Sequence, residues 1–359
     1  MATSHVVAPH TTITDKRERS MNIKASAVNT THQTERGVQT PRHDVISAYI
    51  NSATSDYLAS QIHELAMNLP GLSLEGQLCS ARKIMTDLIE GNAAIGYSFN
   101  RIISSDSDAL YVEGLPEYSG SYAPLLYRLT TLTIGSLFGQ PFQYLQQHGG
   151  QLIPVLEPSD DSAENTNSTG AHFGAHTDDA FLNPKYRTKY ISLIGELNES
   201  NAGTGYASIS KILSVLSKKD IETLSKPLYL FKKPISFKGL NERSEWSEPR
   251  PILYRLPDGK IAVQCPTYNT KVAASLESEA AQIAFDNFNK RVDEKTEWFV
   301  VGPTSYLVFR NDRGLHSRQE IEGRRRVYRT YWHEDLNQMP VSAQLPGNII
   351  DVTGLGVER

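Results

Sequence analysis

The sequence predicts a mainly-β chain with flanking helices whose core is a double-stranded β-helix, or jelly roll. Three observations carry that expectation. Short runs of strand composition, bounded by Gly, Pro, Asn and Asp, recur through the second half of the chain, which favours antiparallel sheets over a doubly wound parallel one. Helical periodicity gathers before the middle of the chain or sits between strands. A histidine and a carboxylate two residues apart, His176 and Asp178, are followed 140 residues later (316 − 176) by His316, just past the end of a buried-strand run. A jelly roll joins an early and a late strand at its open mouth, as that separation requires.

Residues 1–40 are rich in Thr, Ser, His, Asn and Gln without periodicity and predict a disordered leader in which His5, His10 and His32 are solvated. Apolar residues at helical spacing predict covering helices over His43–Leu69 (Ile46, Ile50, Leu58, Ile62, Leu65) and Gln77–Ile89 (Leu78, Ile84, Met85, Leu88). Ala94–Phe99 alternates like a strand, and Tyr122–Phe138 predicts a third helix, stopped by Gly139 and Pro141. Gln151–Glu157 predicts a short strand before a polar loop over 158–170. Strands are expected at Lys189–Gly195 and Thr204–Ile209, around an Asn-Glu-Ser-Asn turn, with a helix over Ile209–Leu224. Extended pieces at Leu228–Phe231, Pro251–Leu256 and Lys260–Gln264 follow, the last two as a hairpin through Pro257-Asp-Gly. Leu276, Ala280, Ile283, Ala284 and Phe288 mark another helix, after which Glu297–Val301, Thr304–Phe309 and Arg325–Trp332 return to strand. One domain is expected over 41–345 and a tail over 346–359.

Composition narrows the function. A formal charge of −4 gives no electrostatic case for nucleic acid or an anionic membrane. Two cysteines, Cys79 and Cys265, exclude a disulfide framework and fit a reducing, cytoplasmic setting. No apolar run approaches the roughly 20 residues of a membrane span.

His176, Asp178 and His316 together would make two imidazoles and one carboxylate, the set that leaves three iron(II) positions open for co-substrate and oxygen. Such a centre needs electrons for O2 activation, and 2-oxoglutarate supplies them by decarboxylating to succinate. Its far carboxylate needs a cation and a hydroxyl in an apolar pocket. After His316 comes Arg324-Arg-Arg-Val-Tyr-Arg-Thr-Tyr-Trp332, and on a strand Arg325, Val327, Arg329 and Tyr331 share one face. One arginine could hold 2-oxoglutarate and the other a substrate carboxylate.

From about Leu126 to Leu336 the chain resembles the clavaminate synthase-like branch of the iron(II)/2-oxoglutarate-dependent oxygenases, which includes hydroxylases of free arginine, asparagine and lysine. It is more distantly similar to taurine dioxygenase. The resemblance is strongest in Ala175-His-Thr-Asp-Asp-Ala-Phe181 and in His316 with the arginine pair. It implies iron ligation by His176, Asp178 and His316. A threonine 28 residues after the first ligand (204 − 176) implies that Thr204 binds 2-oxoglutarate, and the Arg-x-x-x-Arg pattern implies Arg325 for 2-oxoglutarate and Arg329 for the substrate carboxylate. The choice among Arg324, Arg325 and Arg326 stays open, because only nine residues (325 − 316) separate His316 from the arginine. Asp179 is a candidate for the substrate ammonium or for capping a turn. Asp178 stands where many of these hydroxylases carry Glu. Val263-Gln-Cys-Pro-Thr-Tyr-Asn269 stands where relatives that take basic amino acids carry acids.

The resemblance implies hydroxylation of an unactivated C–H of a free amino acid or amino-acid-derived carboxylate, with succinate and CO2 released. Desaturation, epoxidation and cyclisation are alternatives on the same cofactors. Two readings of other classes remain open: a zinc-dependent hydrolase on the same three ligands, and a non-catalytic jelly roll that binds a small acid. His172 reads as an ordinary polar residue, and His333-Glu-Asp335, a second His-x-Asp without a downstream histidine, as a solvated strand end.

Overall fold

Strands that are largely apolar on both faces must be covered on both faces, and the runs Tyr190–Gly195 and Tyr306–Phe309 are of that kind. A computed structural model describes residues 44–158, 170–234, 237, 245–275 and 277–355. The expected leader, most of the 158–170 loop and Leu276 lie outside the described residues.

The described chain opens with β1 (Val45–Tyr49), α1 (Ser52–Asn68), α2 (Leu74–Gly91), α3 (Ala93–Ile103), β2 (Ala109–Glu113) and α4 (Ala123–Gly135). Strands β3 (Gln140–Tyr144), β4 (Val155–Leu156), β5 (Phe173–His176), β6 (Tyr190–Asn198) and β7 (Gly203–Ser208) follow. Next come α5 (Ile209–Leu213), α6 (Lys218–Leu224), β8 (Tyr229–Phe231), β9 (Leu253–Arg255), β10 (Ile261–Val263), β11 (Thr270–Val272) and α7 (Ser278–Lys295). The chain closes with β12 (Glu297–Val300), β13 (Ser305–Arg310), β14 (Gly314–Arg318), β15 (Arg325–His333), β16 (Gln344–Leu345) and β17 (Ile349–Ile350).

A nine-stranded sheet runs β1-β2-β13-β6-β15-β3-β17-β16, with β4 also paired to β15, and a four-stranded sheet runs β12-β7-β14-β5. Between them lies a core that includes Leu193, Leu307, Phe309, Val327 and Tyr331 of the large sheet and Tyr206 of the small one. The opposite residues of the same strands, Ile194, Tyr306, Val308, Tyr328 and Trp332, pack under α1 to α4. Helices α6 and α7 cover the outer face of the small sheet through Ala207 and Leu315. Fully burying each large side chain contributes about 1.5–3 kcal/mol. Gly135 lets α4 lie on the sheet, since a Cβ there would meet Trp332 at 1.8 Å. Among the described residues no helix is long and apolar enough to cross a membrane.

The jelly roll expected from sequence is present, and several local expectations are corrected. Ala94–Phe99 is helical, within α3: Asn92 caps it by accepting from the Ile95 N–H at 3.2 Å, and Ile95, Phe99 and Ile102 are its buried face. The alternation was a short window on a helix. Residues 45–49, expected within the first helix, form β1 beside β2, and the helix starts after the Asn51 cap. The helix expected over 209–224 is two, divided where the Ser217 hydroxyl caps α6. Only Val155 and Leu156 of the 151–157 strand pair. Within the expected tail, β17 adds to β3 and Ile350, Val352 and Leu355 are buried, while residues 356–359 lie outside the described residues. His333 is buried rather than solvated, accepting from the Asp335 N–H through Nδ1 at 3.2 Å.

Candidate active site

Strands β5 and β14 are neighbours, and their register sets His316 opposite His176, with ring centres 4.1 Å apart. His316 lies past the end of β13, as the sequence suggested, but within a further strand, because Arg310–Arg313 turns the chain straight back into β14. A departure from the expectation is at Asp178. β5 ends at His176, and a turn rather than strand alternation delivers the carboxylate. Asn311 fixes that turn: its Oδ1 accepts from the Asp178 N–H at 2.8 Å, and its Nδ2 donates to the carbonyls of Asp178 (3.1 Å) and Thr188 (3.2 Å).

Asp178 Oδ1 lies 3.2 Å from His176 Nε2 and 3.5 Å from His316 Nε2. Its Oδ2 accepts from the Tyr331 hydroxyl at 2.5 Å and from Arg329 at 3.4 Å. One oxygen is held, and the other is offered to the space between the imidazoles. His176 Nδ1 is 2.9 Å from the Gly174 carbonyl, which can only accept, so the proton sits on Nδ1 and the Nε2 lone pair is available. Burial and the neighbouring His176 push His316 down to about 4, leaving it a neutral ligand at ordinary pH. Burial alone would raise the Asp178 carboxyl, but His316, His176 and Arg329 outweigh it and hold the group well below the usual carboxylate range. Ligand atoms of the three residues all lie within 4.8 Å of one another, the one such grouping among the described residues. Two imidazoles and a carboxylate with one oxygen already bonded suit an iron(II) ion that keeps positions for other ligands.

The three successive arginines are placed differently. Arg324 is exposed and bonds Glu199, Arg326 bonds Glu157 and Glu196, and Arg325 turns inward at 4% exposure. It donates to the Thr204 hydroxyl at 3.1 Å, makes no ion pair among the described residues, and its Nε has no partner. Burial and then the charge of Arg318 push it down to about 10. A buried cation beside a hydroxyl fits the far carboxylate of a ligand. Arg329 lies between Asp178 and Gln147, whose Oε1 accepts from it at 3.3 Å.

Asp179 is buried in the left-handed region (φ 59°), a strained position for a non-glycine residue. Gln147 donates to its Oδ1 at 3.1 Å, while its Oδ2 has no partner. Burial and the charge of Asp178 push its carboxyl well up. Within the Val263–Asn269 segment, Thr267 donates to the Ala175 carbonyl at 2.6 Å and the Tyr268 ring centre lies 5.8 Å from that of His176. His172 is exposed.

Sequence reasoning missed Asn311 and Gln147. Asn311 had a signal, since an Asn-Asp-Arg-Gly turn follows a buried strand, but Gln147 had none. Replacing Asn311 with Ala removes the partners of three backbone groups around Asp178. Metal affinity is expected to fall about 10- to 100-fold, the usual cost of losing support behind a ligand, as a competitive metal titration would show.

No protein-family model matches the chain, and no curated protein matches it. Solved structures do. An asparagine oxygenase in complex with Fe(II), 2S,3S-3-hydroxyasparagine and succinate superimposes with a TM-score of 0.72 at 17% identity, over 85% of this chain and 99% of that one. The non-heme iron oxygenase OrfP in complex with Fe gives 0.69 at 21% identity, over 84% and 98%. OrfP in complex with Fe and L-Arg gives 0.68 at 22%, over 86% and 99%. The chain thus has the jelly-roll fold found in these non-heme iron oxygenases.

Proposed function

We propose that this chain is an iron(II)/2-oxoglutarate-dependent oxygenase that hydroxylates an unactivated C–H of a free amino acid or an amino-acid-derived carboxylate. The observation that carries the reading is the convergence of His176, Asp178 and His316 beside Arg325, a buried guanidinium bonded to a hydroxyl and to no carboxylate among the described residues. The structural neighbours support it: OrfP has been crystallised with Fe and alpha-ketoglutaric acid, and the asparagine oxygenase with a hydroxylated amino acid and succinate.

On this reading His176, Asp178 and His316 hold iron. Iron held there would supply O2 activation coupled to oxidation of 2-oxoglutarate to succinate and CO2, with one oxygen atom for succinate and the other for the product hydroxyl. Arg325 and Thr204 hold the far carboxylate of 2-oxoglutarate. Arg329 receives the substrate carboxylate and Asp179 its ammonium. Tyr331 and Arg329, bonded to Oδ2 of Asp178, would leave Oδ1 for the metal. A zinc-dependent hydrolase on the same triad leaves Arg325 without a task. The proposed plan is a leader over 1–40 and one oxygenase domain from residue 41 that takes in the last strands past 345. A cytoplasmic location goes with it, in keeping with the unbridged cysteines Cys79 and Cys265.

The test is anaerobic titration of the apoprotein with iron(II) and then 2-oxoglutarate. The weak visible charge-transfer band of the chelate is expected, followed by amino-acid-dependent succinate release once O2 is admitted. Tight zinc binding with no band and no succinate would refute the reading.

A further inference from the structure

The small sheet presents two successive rows of side chains to the interior. Tyr206, His316 and His176 stand in register in the first, and Thr204, Arg318 and Phe173 in the next. Two residues of β14 span three of β5 across this step, an irregularity that falls at Gly174 and Ala175. Along β14, residues 316 and 318 share a face, so Arg318 points to the side that carries the metal-site histidine. It is 7% exposed, donates to the Ala171 carbonyl at 2.6 Å, and its guanidinium carbon lies 6.0 Å from the Phe173 ring centre.

Facing this row from the other sheet is Arg325, bonded to Thr204 at 3.1 Å. Arg318 is the charged neighbour that acts on it. Two buried guanidiniums from opposite sheets thus stand near Thr204: Arg325 bonds its hydroxyl, and Arg318 is its register partner on β14. Like charges at such a depth oppose one another, and an anion placed between them relieves both.

We propose that Arg318 is a co-substrate-binding residue: with Arg325 and Thr204 it grips the far carboxylate of 2-oxoglutarate from the opposite sheet. The proposal rests on the oxygenase reading. It makes the pocket selective for a dicarboxylic 2-oxo acid, because a monocarboxylic one would place an apolar end against two cations.

The test is anaerobic calorimetric titration of iron(II)-loaded protein with 2-oxoglutarate and, separately, with 2-oxobutyrate. The proteins are the wild type, Arg318→Gln, Arg318→Lys and Arg325→Gln. Arg318→Gln is expected to bind 2-oxoglutarate about 10- to 100-fold more weakly, the loss that goes with a charge-assisted bond, while 2-oxobutyrate and iron(II) affinities hold. Arg318→Lys should keep part of the affinity. Unchanged 2-oxoglutarate binding in Arg318→Gln, beside a loss in Arg325→Gln, overturns the proposal and leaves the oxygenase reading standing. Parallel losses for both keto acids and iron overturn it in favour of a purely structural arginine. Should Arg318→Gln not fold, Arg318→Lys decides, since undiminished 2-oxoglutarate affinity there is incompatible with a guanidinium clamp. A wild type that binds no 2-oxoglutarate sinks the oxygenase reading and this proposal with it.

Discussion

Alanine at His176 is expected to bring iron(II) binding and succinate release down together to background. The imidazole is one of three donors within 4.8 Å of one another, and no other described grouping of His, Cys, Asp or Glu could take over the ion. The loss should exceed the roughly 100-fold that removal of a supporting residue costs. Asp178→Ala should do the same with an added penalty, because Tyr331 and the buried Arg329 both lose their carboxylate partner. Metal content after gel filtration and coupled succinate assays check both variants, with far-ultraviolet circular dichroism to establish folding. Retention of stoichiometric iron by a folded His176→Ala protein would remove the metal assignment.

The second large effect is on stability. Asp108 and Arg313 are 1% and 2% exposed and form an ion pair at 3.1 Å between the residue just before β2 and the turn that leads into β14. The Ser208 hydroxyl donates to the other oxygen of Asp108 at 2.7 Å, and Arg313 also donates to the Ile261 carbonyl. Arg313→Ala leaves a carboxylate buried with only the neutral hydroxyls of Ser208 and Ser210 as donors, and a loss of about 3–5 kcal/mol is expected from such a break. Urea denaturation is the measurement. Asp108→Asn combined with Arg313→Met should cost less than the sum of the single changes, since neither then strands a charge.

The strands most legible in the sequence were those apolar on both faces, and the jelly roll followed from their number and from the gap between the histidines. What escaped was set by contacts that no local window contains. β1 is a strand because β2 lies beside it, although Ile46 and Ile50 share helical spacing with the residues that follow. β17 is only two residues long and exists because β3 offers an edge. At the site, spacing pointed to His176, Asp178 and His316 and the family resemblance to Thr204 and Arg325, and the structure brings the first three together and bonds the last two to each other. The route by which Asp178 arrives could not be read in the sequence, because it depends on an asparagine amide 133 residues away. Nor could the inward turn of Arg325 over its two neighbours, which follows from the glutamates that hold Arg324 and Arg326 outside.

On the proposed reading, the direct pairing of His176 with His316 would also tie the life of the polypeptide to its metal supply. These residues meet only once β5 and β14 have closed, so the unfolded chain offers iron nothing comparable to the folded one. An ion that binds only the closed form stabilises it by mass action, by about 2.7 kcal/mol when present at 100 times its dissociation constant. On the proposed reading, cells short of iron would hold this protein with a larger unfolded fraction open to proteolysis, and its abundance would track the metal as closely as its turnover does.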